Sequence, residues 1–184
     1  MSDTHSIEST GELALPPVVT TPRLTMRSWQ RDDAPALERV LSASDAHLRP
    51  WTPWVIDGRT PGLSLEERLV AHAESFAAGK EWVYGMFDAD GNILGACGLY
   101  RRVGAGALEI GYWLAETAVG RGYATEAAGE LTRVALDLPG IERVDIRCDP
   151  GNRASVGIAI RLGYRLTARA ETASDVEVWS RGRD

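Results

Sequence analysis

A chain of 184 residues, 44% of them hydrophobic, with a formal net charge of −6, can bury one sizeable core. The acidic balance argues against a nucleic-acid partner, and no stretch is long and apolar enough to span a bilayer. Cys97 and Cys148 stand alone and His5, His47 and His72 are scattered, so a disulfide framework and a metal site are both excluded as expectations. Met1 to Pro17 has neither the basic start nor the apolar run of a signal peptide. It reads as a flexible N-terminal arm, residues 1–17, ahead of a single domain over 18–184 in a cytoplasmic protein.

In chain order, Arg23 to Trp29 alternates like a strand, and Asp32 or Asp33 offers an N-cap for a helix to about Leu41, with Pro35 in its first turn. The Pro/Gly-rich run from Pro50 to Gly62 reads as a loop. Ser64 to Glu67 forms a capping-box signature before the apolar spacing Leu65, Leu69, Ala73, Phe76, which predicts a second helix. Trp82 to Phe87 and Ile93 to Arg101 predict a hairpin turning at Asp88 to Asn92, with Gly91 available for positive φ. Leu108 to Ala115 adds a third strand to this antiparallel meander. Beyond it, Ala127, Leu131, Val134, Ala135 and Leu138 recur at helical spacing. Arg143 to Cys148 is then a strand parallel to 108–115, because a crossover helix joins them. A helix from Asn152 ends at Gly163, and Tyr164 to Arg169 with Asp175 to Trp179 supply the last two strands.

The stretch Gly111 to Ala127 passes from an apolar strand through Gly120 and Gly122 straight into an amphipathic helix. Glycines at such a junction let backbone approach a ligand, and the free N–H groups of the first helical turn suit an anion. Gly120-Arg-Gly122-Tyr-Ala-Thr125 lacks the third glycine of a dinucleotide fingerprint and the Gly-Lys-Ser/Thr ending of a P-loop.

It resembles instead the pyrophosphate loop of the GNAT N-acetyltransferase superfamily, Gly122 and Ala124 filling the last two places of that pattern and Val119 standing where Gln or Arg is usual. Asn152, Ser155, Gly163 and Tyr164 fall at the spacing of the family's second signature. His47 to Trp54 looks like the Trp-rich segment of the RimJ/RimL-like ribosomal-protein acetyltransferase branch. The resemblance implies an α/β (α+β) fold, the GNAT acyl-CoA acyltransferase fold, with a mixed central sheet of about seven strands flanked by about four helices. It implies acetyl-CoA as co-substrate, held where the strands at 108–115 and 143–148 splay apart, and no metal. The cofactor contacts it implies are Trp113, Leu114, Val119, Gly120, Arg121, Gly122, Tyr123, Ala124, Thr125, Asn152 and Ser155. A homodimer is the assembly it implies, although no residue pattern establishes one.

Amine acetylation needs a proton acceptor, because an α-amine with pKa about 8 or a lysine with pKa about 10 is mostly protonated at neutral pH. Glu109 alternates onto one face of its strand with Gly111 and Trp113, opposite Leu108, Ile110, Tyr112 and Leu114, and is the candidate base. The position where many relatives carry a tyrosine acid is Ala159 here. In the branch resembled, Ser155 contacts the sulfur instead, either as proton donor or only as a hydrogen-bond partner of the thiolate. Trp51 and Trp54 are candidate acceptor walls, with local packing as the alternative. The expected function is acetyl-CoA-dependent acetyl transfer to a primary amine, a protein N-terminal α-amine first. A small amine (amino acid, polyamine or aminoglycoside) and a non-catalytic CoA-binding sensor are the alternatives.

Overall fold

The computed structural model describes residues 13–58, 62–169 and 176–183. Eight strands form one mixed sheet in the order β1-β2-β3-β4-β5-β6-β8-β7. β1 (Val18–Thr20) and β2 (Thr25–Ser28) lead antiparallel into the meander β3 (Glu81–Phe87), β4 (Ile93–Tyr100) and β5 (Ala107–Leu114). β6 (Arg143–Cys148) lies parallel to β5, as a helical crossover requires. β7 (Arg165–Ala168) and β8 (Glu177–Gly182) form the closing hairpin, with β8 rather than β7 against β6.

Six helices accompany the sheet among the described residues. α1 (Ala34–Ala43) and α4 (Leu65–Ala77) bury Leu37, Leu41 and Leu69 with Val83 and Phe87 on one face. α5 (Tyr123–Asp137) buries Ala127, Ala128, Leu131 and Ala135 with Tyr84, Met86, Leu108 and Ile110 on the other. α6 (Arg153–Arg161) follows β6 and ends before Gly163, whose φ of 76° takes the left-handed conformation expected just past a helix end. The capping box at Ser64 forms as its sequence predicts, with Ser64 accepting from the Glu67 N–H and Glu67 accepting from the Ser64 N–H.

Three expectations are corrected. The run from Pro50 to Gly62 is not all loop: α3 (Pro53–Asp57) opens on Pro53, and α2 (Asp45–Leu48) precedes it. Residues 13–17, expected to belong to a flexible arm, are packed, with Leu15 buried and the Pro16 carbonyl accepting from the Tyr84 hydroxyl at 2.8 Å. Residues 1–12 lie outside the described residues, as does Asp175, where the last strand was expected to start; the strand begins at Glu177.

Candidate active site

β5 and β6 pair only from Ala107↔Arg143 to Ile110↔Ile146. Beyond that, β5 continues to Leu114 against β4 alone and β6 continues to Cys148 against β8. The two parallel strands therefore part, and β5 beyond Ile110 turns backbone groups toward the gap rather than toward a neighbouring strand. A cleft of about 950 Å³ opens there. Its walls include Glu109, Gly111, Tyr112 and Trp113 from β5, Arg147 and Cys148 from β6, Asn152 and Ser155 at the start of α6, and Trp51 and Trp54 around α3. Six residues singled out from the sequence thus share one space: Trp51, Trp54, Glu109, Trp113, Asn152 and Ser155. Leu114 and residues 119–125 are not among its walls; Leu114 packs against the main core, 119–122 form the turn into α5 and 123–125 are its first residues.

Glu109 is 7% exposed and is held by a guanidinium fork. Arg102 donates from Nε to Oε2 and from Nη2 to Oε1, each at 2.9 Å, and Arg147 Nη1 stands 3.8 Å from Oε2. Arg102 also lies over the Tyr100 ring, 4.2 Å from its centroid. Burial works against the Arg102 cation, but the Glu109 pairing outweighs it and the guanidinium is held above its ordinary value. A carboxylate has about four lone-pair sites, and the fork uses two, so Glu109 keeps acceptor capacity toward the cleft.

Ser155 is nearly buried in the first turn of α6, its N–H donating to the Asn152 side chain at 3.2 Å. That bond makes Asn152 the helix cap and fixes where the Ser155 side chain points. The Ser155 hydroxyl lies 2.9 Å from the Tyr112 hydroxyl. Tyr112 has a second acceptor in reach, the Ser155 carbonyl, but at 3.4 Å. Either hydroxyl can donate in this pair, so Tyr112 and Ser155 hold one another where the strands part. Burial pushes the Tyr112 phenol well above its ordinary value, the Ser155 bond only partly offsetting it, so the phenol stays protonated. Burial also raises the Cys148 thiol, with a hydrogen bond to Ser155 acting in the opposite sense.

The turn into α5 is built for close approach. Gly120 and Gly122 take φ of 75° and 81°, and Gly122 caps a helix of 15 residues. Glu126 donates its N–H to the Gly122 carbonyl, leaving the N–H groups of residues 123–125 without partners inside the helix. The turn is tethered to the start of the sheet. Arg23 donates to Glu126 Oε2 at 2.6 Å and to the Arg121 carbonyl at 2.8 Å, and Thr21 donates to Glu126 Oε1 at 2.5 Å. Burial alone would raise the Glu126 carboxyl, but the bonds from Thr21 and Arg23 outweigh it and hold it below its ordinary value. The folded value is the lower one, so this stabilisation is full above the unfolded value and is lost as pH falls below it. Glu126→Gln is expected to cost about 1 kcal/mol in urea denaturation at pH 7. The deficit should shrink in parallel measurements below pH 4; an equal deficit at both pH values would show that the charge contributes nothing.

At the other end of the cleft, Trp51 and Trp54 are 40% and 46% exposed. The Trp51 ring reaches across to Gly151 in the turn before α6, where an added Cβ would come within 3.8 Å of it. The aromatic segment therefore borders the fork as well as the outer mouth.

Four residues that the sequence reading did not select belong to this cleft: Tyr112, Arg102, Arg147 and Arg68. Alternation put Tyr112 on the core face, which is correct for its ring, since the ring packs against the main core while the hydroxyl reaches Ser155.

Comparison with known proteins agrees with this architecture. Residues 23–165 match the family model described as the acetyltransferase (GNAT) domain. Among solved structures, the chain is similar to RimL, a ribosomal alpha-N-protein acetyltransferase in complex with coenzyme A, at 23% identity and a TM-score of 0.76, covering 90% of this chain and 97% of that one. It is similar to the microcin self-immunity acetyltransferase MccE in complex with acetyl-CoA and AMP, at 18% identity and a TM-score of 0.78, covering 92% and 98%. It is also similar to Mycobacterium smegmatis RimJ in complex with CoA-disulfide, at 19% identity and a TM-score of 0.70, covering 86% and 81%. At these identities the structural likeness speaks for the fold.

Proposed function

As a member of the GNAT acetyltransferase family this chain is an acetyl-CoA-dependent acetyltransferase, and we propose that it transfers acetyl directly to a primary amine, a protein N-terminal α-amine first. The observation that carries this reading is the convergence of Glu109 and Ser155 on one cleft at the fork of β5 and β6. The branch-level motifs at His47 to Trp54 and Asn152 to Tyr164 favour the protein terminus as acceptor. The two buried, unpaired cysteines suit the reducing cytoplasm proposed with it.

The residues fit the cofactor. Gly120, Arg121 and Gly122, with the N–H groups of Tyr123, Ala124 and Thr125 at the start of α5, offer backbone donors and a helix terminus to a pyrophosphate, and Val119 flanks them. Trp113 and Asn152 line the gap between β5 and β6, and Leu114 ends β5 beyond it, packed against the main core. Acetyl-CoA supplies an activated acetyl group on a thiol leaving group. The chain's own part is to place the amine, take its proton and support the departing sulfur. Glu109, held in its arginine fork, accepts the proton through a free lone pair or through water. Backbone N–H groups that β5 turns toward the gap are the donors available to an oxyanion. Ser155 is the hydroxyl available to the departing sulfur, held in place by its contact with the Tyr112 hydroxyl.

Ser155→Ala and Tyr112→Phe are each expected to lower kcat by about tenfold with the KM for acetyl-CoA nearly unchanged. The double variant should be no slower than Ser155→Ala, because Tyr112 acts through Ser155. Independent, multiplying losses in the double-mutant cycle would separate the two residues.

The assay that tests the function is release of free CoA from acetyl-CoA in the presence of N-terminal peptides, polyamines, aminoglycosides and amino acids, with mass spectrometry of the product. An acetylated peptide α-amine supports the reading. A small acetylated amine moves the acceptor to metabolism or resistance. Tight CoA binding with no turnover on any acceptor points to a sensor.

A further inference from the structure

Arg68, on α4, lines the same cleft beside Trp51, Trp54, Leu63 and His72. Its Nε is buried with no hydrogen-bond partner, and the hydrogen bond from its Nη1 to the Val55 carbonyl is long, at 3.4 Å. No carboxylate of the described residues lies within 4.0 Å of its guanidinium, whereas Arg102 and Arg147 in the same cleft share Glu109. The acids Glu81 and Asp149 also line the cleft, so it is not cationic overall. What sets Arg68 apart is local: it lines the cleft with its Nε buried and unsatisfied and with no carboxylate of the described residues at ion-pair distance. Burying such a group costs stability unless a counter-charge arrives.

We propose that Arg68 is an acceptor-recognition residue that binds an oxyanion, carboxylate or phosphate, carried by the amine substrate, with Trp51, Trp54 and Leu63 receiving the apolar part of the same molecule. Those three side chains are 40%, 46% and 39% exposed and line the same cleft as Arg68, an apolar lip beside its guanidinium. A planar guanidinium presents two parallel N–H donors to a carboxylate or phosphate, a geometry that lysine does not reproduce. This assignment rests on the transferase reading for the identity of the bound molecule as an acceptor, but not for the existence of the anion site.

Matched pairs of amines test it: a free amino acid against its amide, an aminoalkyl phosphate against its amino alcohol, and peptides with Asp against Asn at the second residue. Wild type should prefer the anionic member of the carboxylate or the phosphate pairs by about tenfold in kcat/KM. Arg68→Met should remove that preference by slowing only the anionic member, with the KM for acetyl-CoA unchanged, and Arg68→Lys should restore part of it. Without ligand, Arg68→Met should melt at or above the wild-type temperature, since it removes an uncompensated cation; a structural arginine would give a lower Tm. Anionic members should raise the Tm of CoA-loaded wild type but not of Arg68→Met. Equal rates on both members in wild type, or equal losses on both in Arg68→Met, overturn the proposal. Arg68-dependent anion binding with no acetyl transfer would keep the anion site and sink the amine-transferase reading.

Discussion

Glu109→Gln is expected to lower kcat by about a hundredfold or more while leaving acetyl-CoA binding intact. The amide keeps the shape of the side chain and one acceptor oxygen, but it cannot take up a proton. The difficulty in reading such a variant lies in Arg102, whose fork grips both carboxylate oxygens, and in Arg147 at 3.8 Å. Neutralising Glu109 also leaves these two cations without their acid, so a loss of rate has two candidate causes. Arg102→Gln separates them. It releases both oxygens but keeps the carboxylate, with Arg147 still close enough to offset the buried charge. If Glu109 takes the proton, Arg102→Gln should retain more than about a tenth of wild-type kcat, and Glu109→Gln about a hundredth or less. Equal inactivity of the two variants would mean that the carboxylate matters only because it organises the arginines.

The parts of the fold that were legible in the sequence are those whose signal is local. The Ser64 capping box, the Asp88 to Asn92 turn, Gly163 after α6 and the parallel β5–β6 pair each follow from a few neighbouring residues or from one crossover rule. α2 and α3, at four and five residues, are too short to show a 3.6-residue period, and Pro53 reads as a loop residue although it also suits the start of a helix. β1, at three residues, carries too little alternation to be read, and its pairing with β2 depends on distant support. The order of the last hairpin, with β8 between β6 and β7, is a non-local choice that no window of sequence contains.

The cleft divides in the same way. Alternation along β5 was enough to place Glu109 beside Gly111 and Trp113, because a strand fixes the direction of each Cβ. Its arginine partners were out of reach of that reading. Arg102 follows the end of β4 and Arg147 belongs to β6, so both meet Glu109 only through strand pairing. Tyr112 shows a further limit: its Cβ faces the core as alternation requires, yet its hydroxyl contacts a residue 43 positions away where the strands part. Arg68 sits on a helix whose pattern reads correctly from sequence, but a missing partner is a property of three-dimensional packing and has no sequence signature.

Gly95→Ala is expected to destabilise the fold by about 3 kcal/mol or more, because overpacking and an unfavourable φ act together. Gly95 has φ of 154°, and a Cβ there would sit 2.1 Å from the Trp113 carbonyl oxygen and 2.9 Å from the Leu114 Cα. Both clashes are with backbone, so no side-chain rotation relieves them. Both also fall on the stretch of β5 that has already left β6 and is held by β4, where Gly95 pairs with Leu114. To admit the methyl group β4 must draw back from β5, which would undo the pairing that keeps Trp113 at the cleft wall. Gly91→Ala is the control: its φ of 81° is near the left-handed region, which alanine enters at moderate cost, and nothing lies within 4 Å of the added Cβ. The φ penalty alone predicts a loss of about 1–2 kcal/mol there. Urea denaturation of the two variants measures the difference, which combines backbone crowding at the fork with the stricter φ of Gly95. Equal losses would mean that β4 yields freely beside Trp113, and the close β4–β5 approach would then lose its place in positioning the cleft.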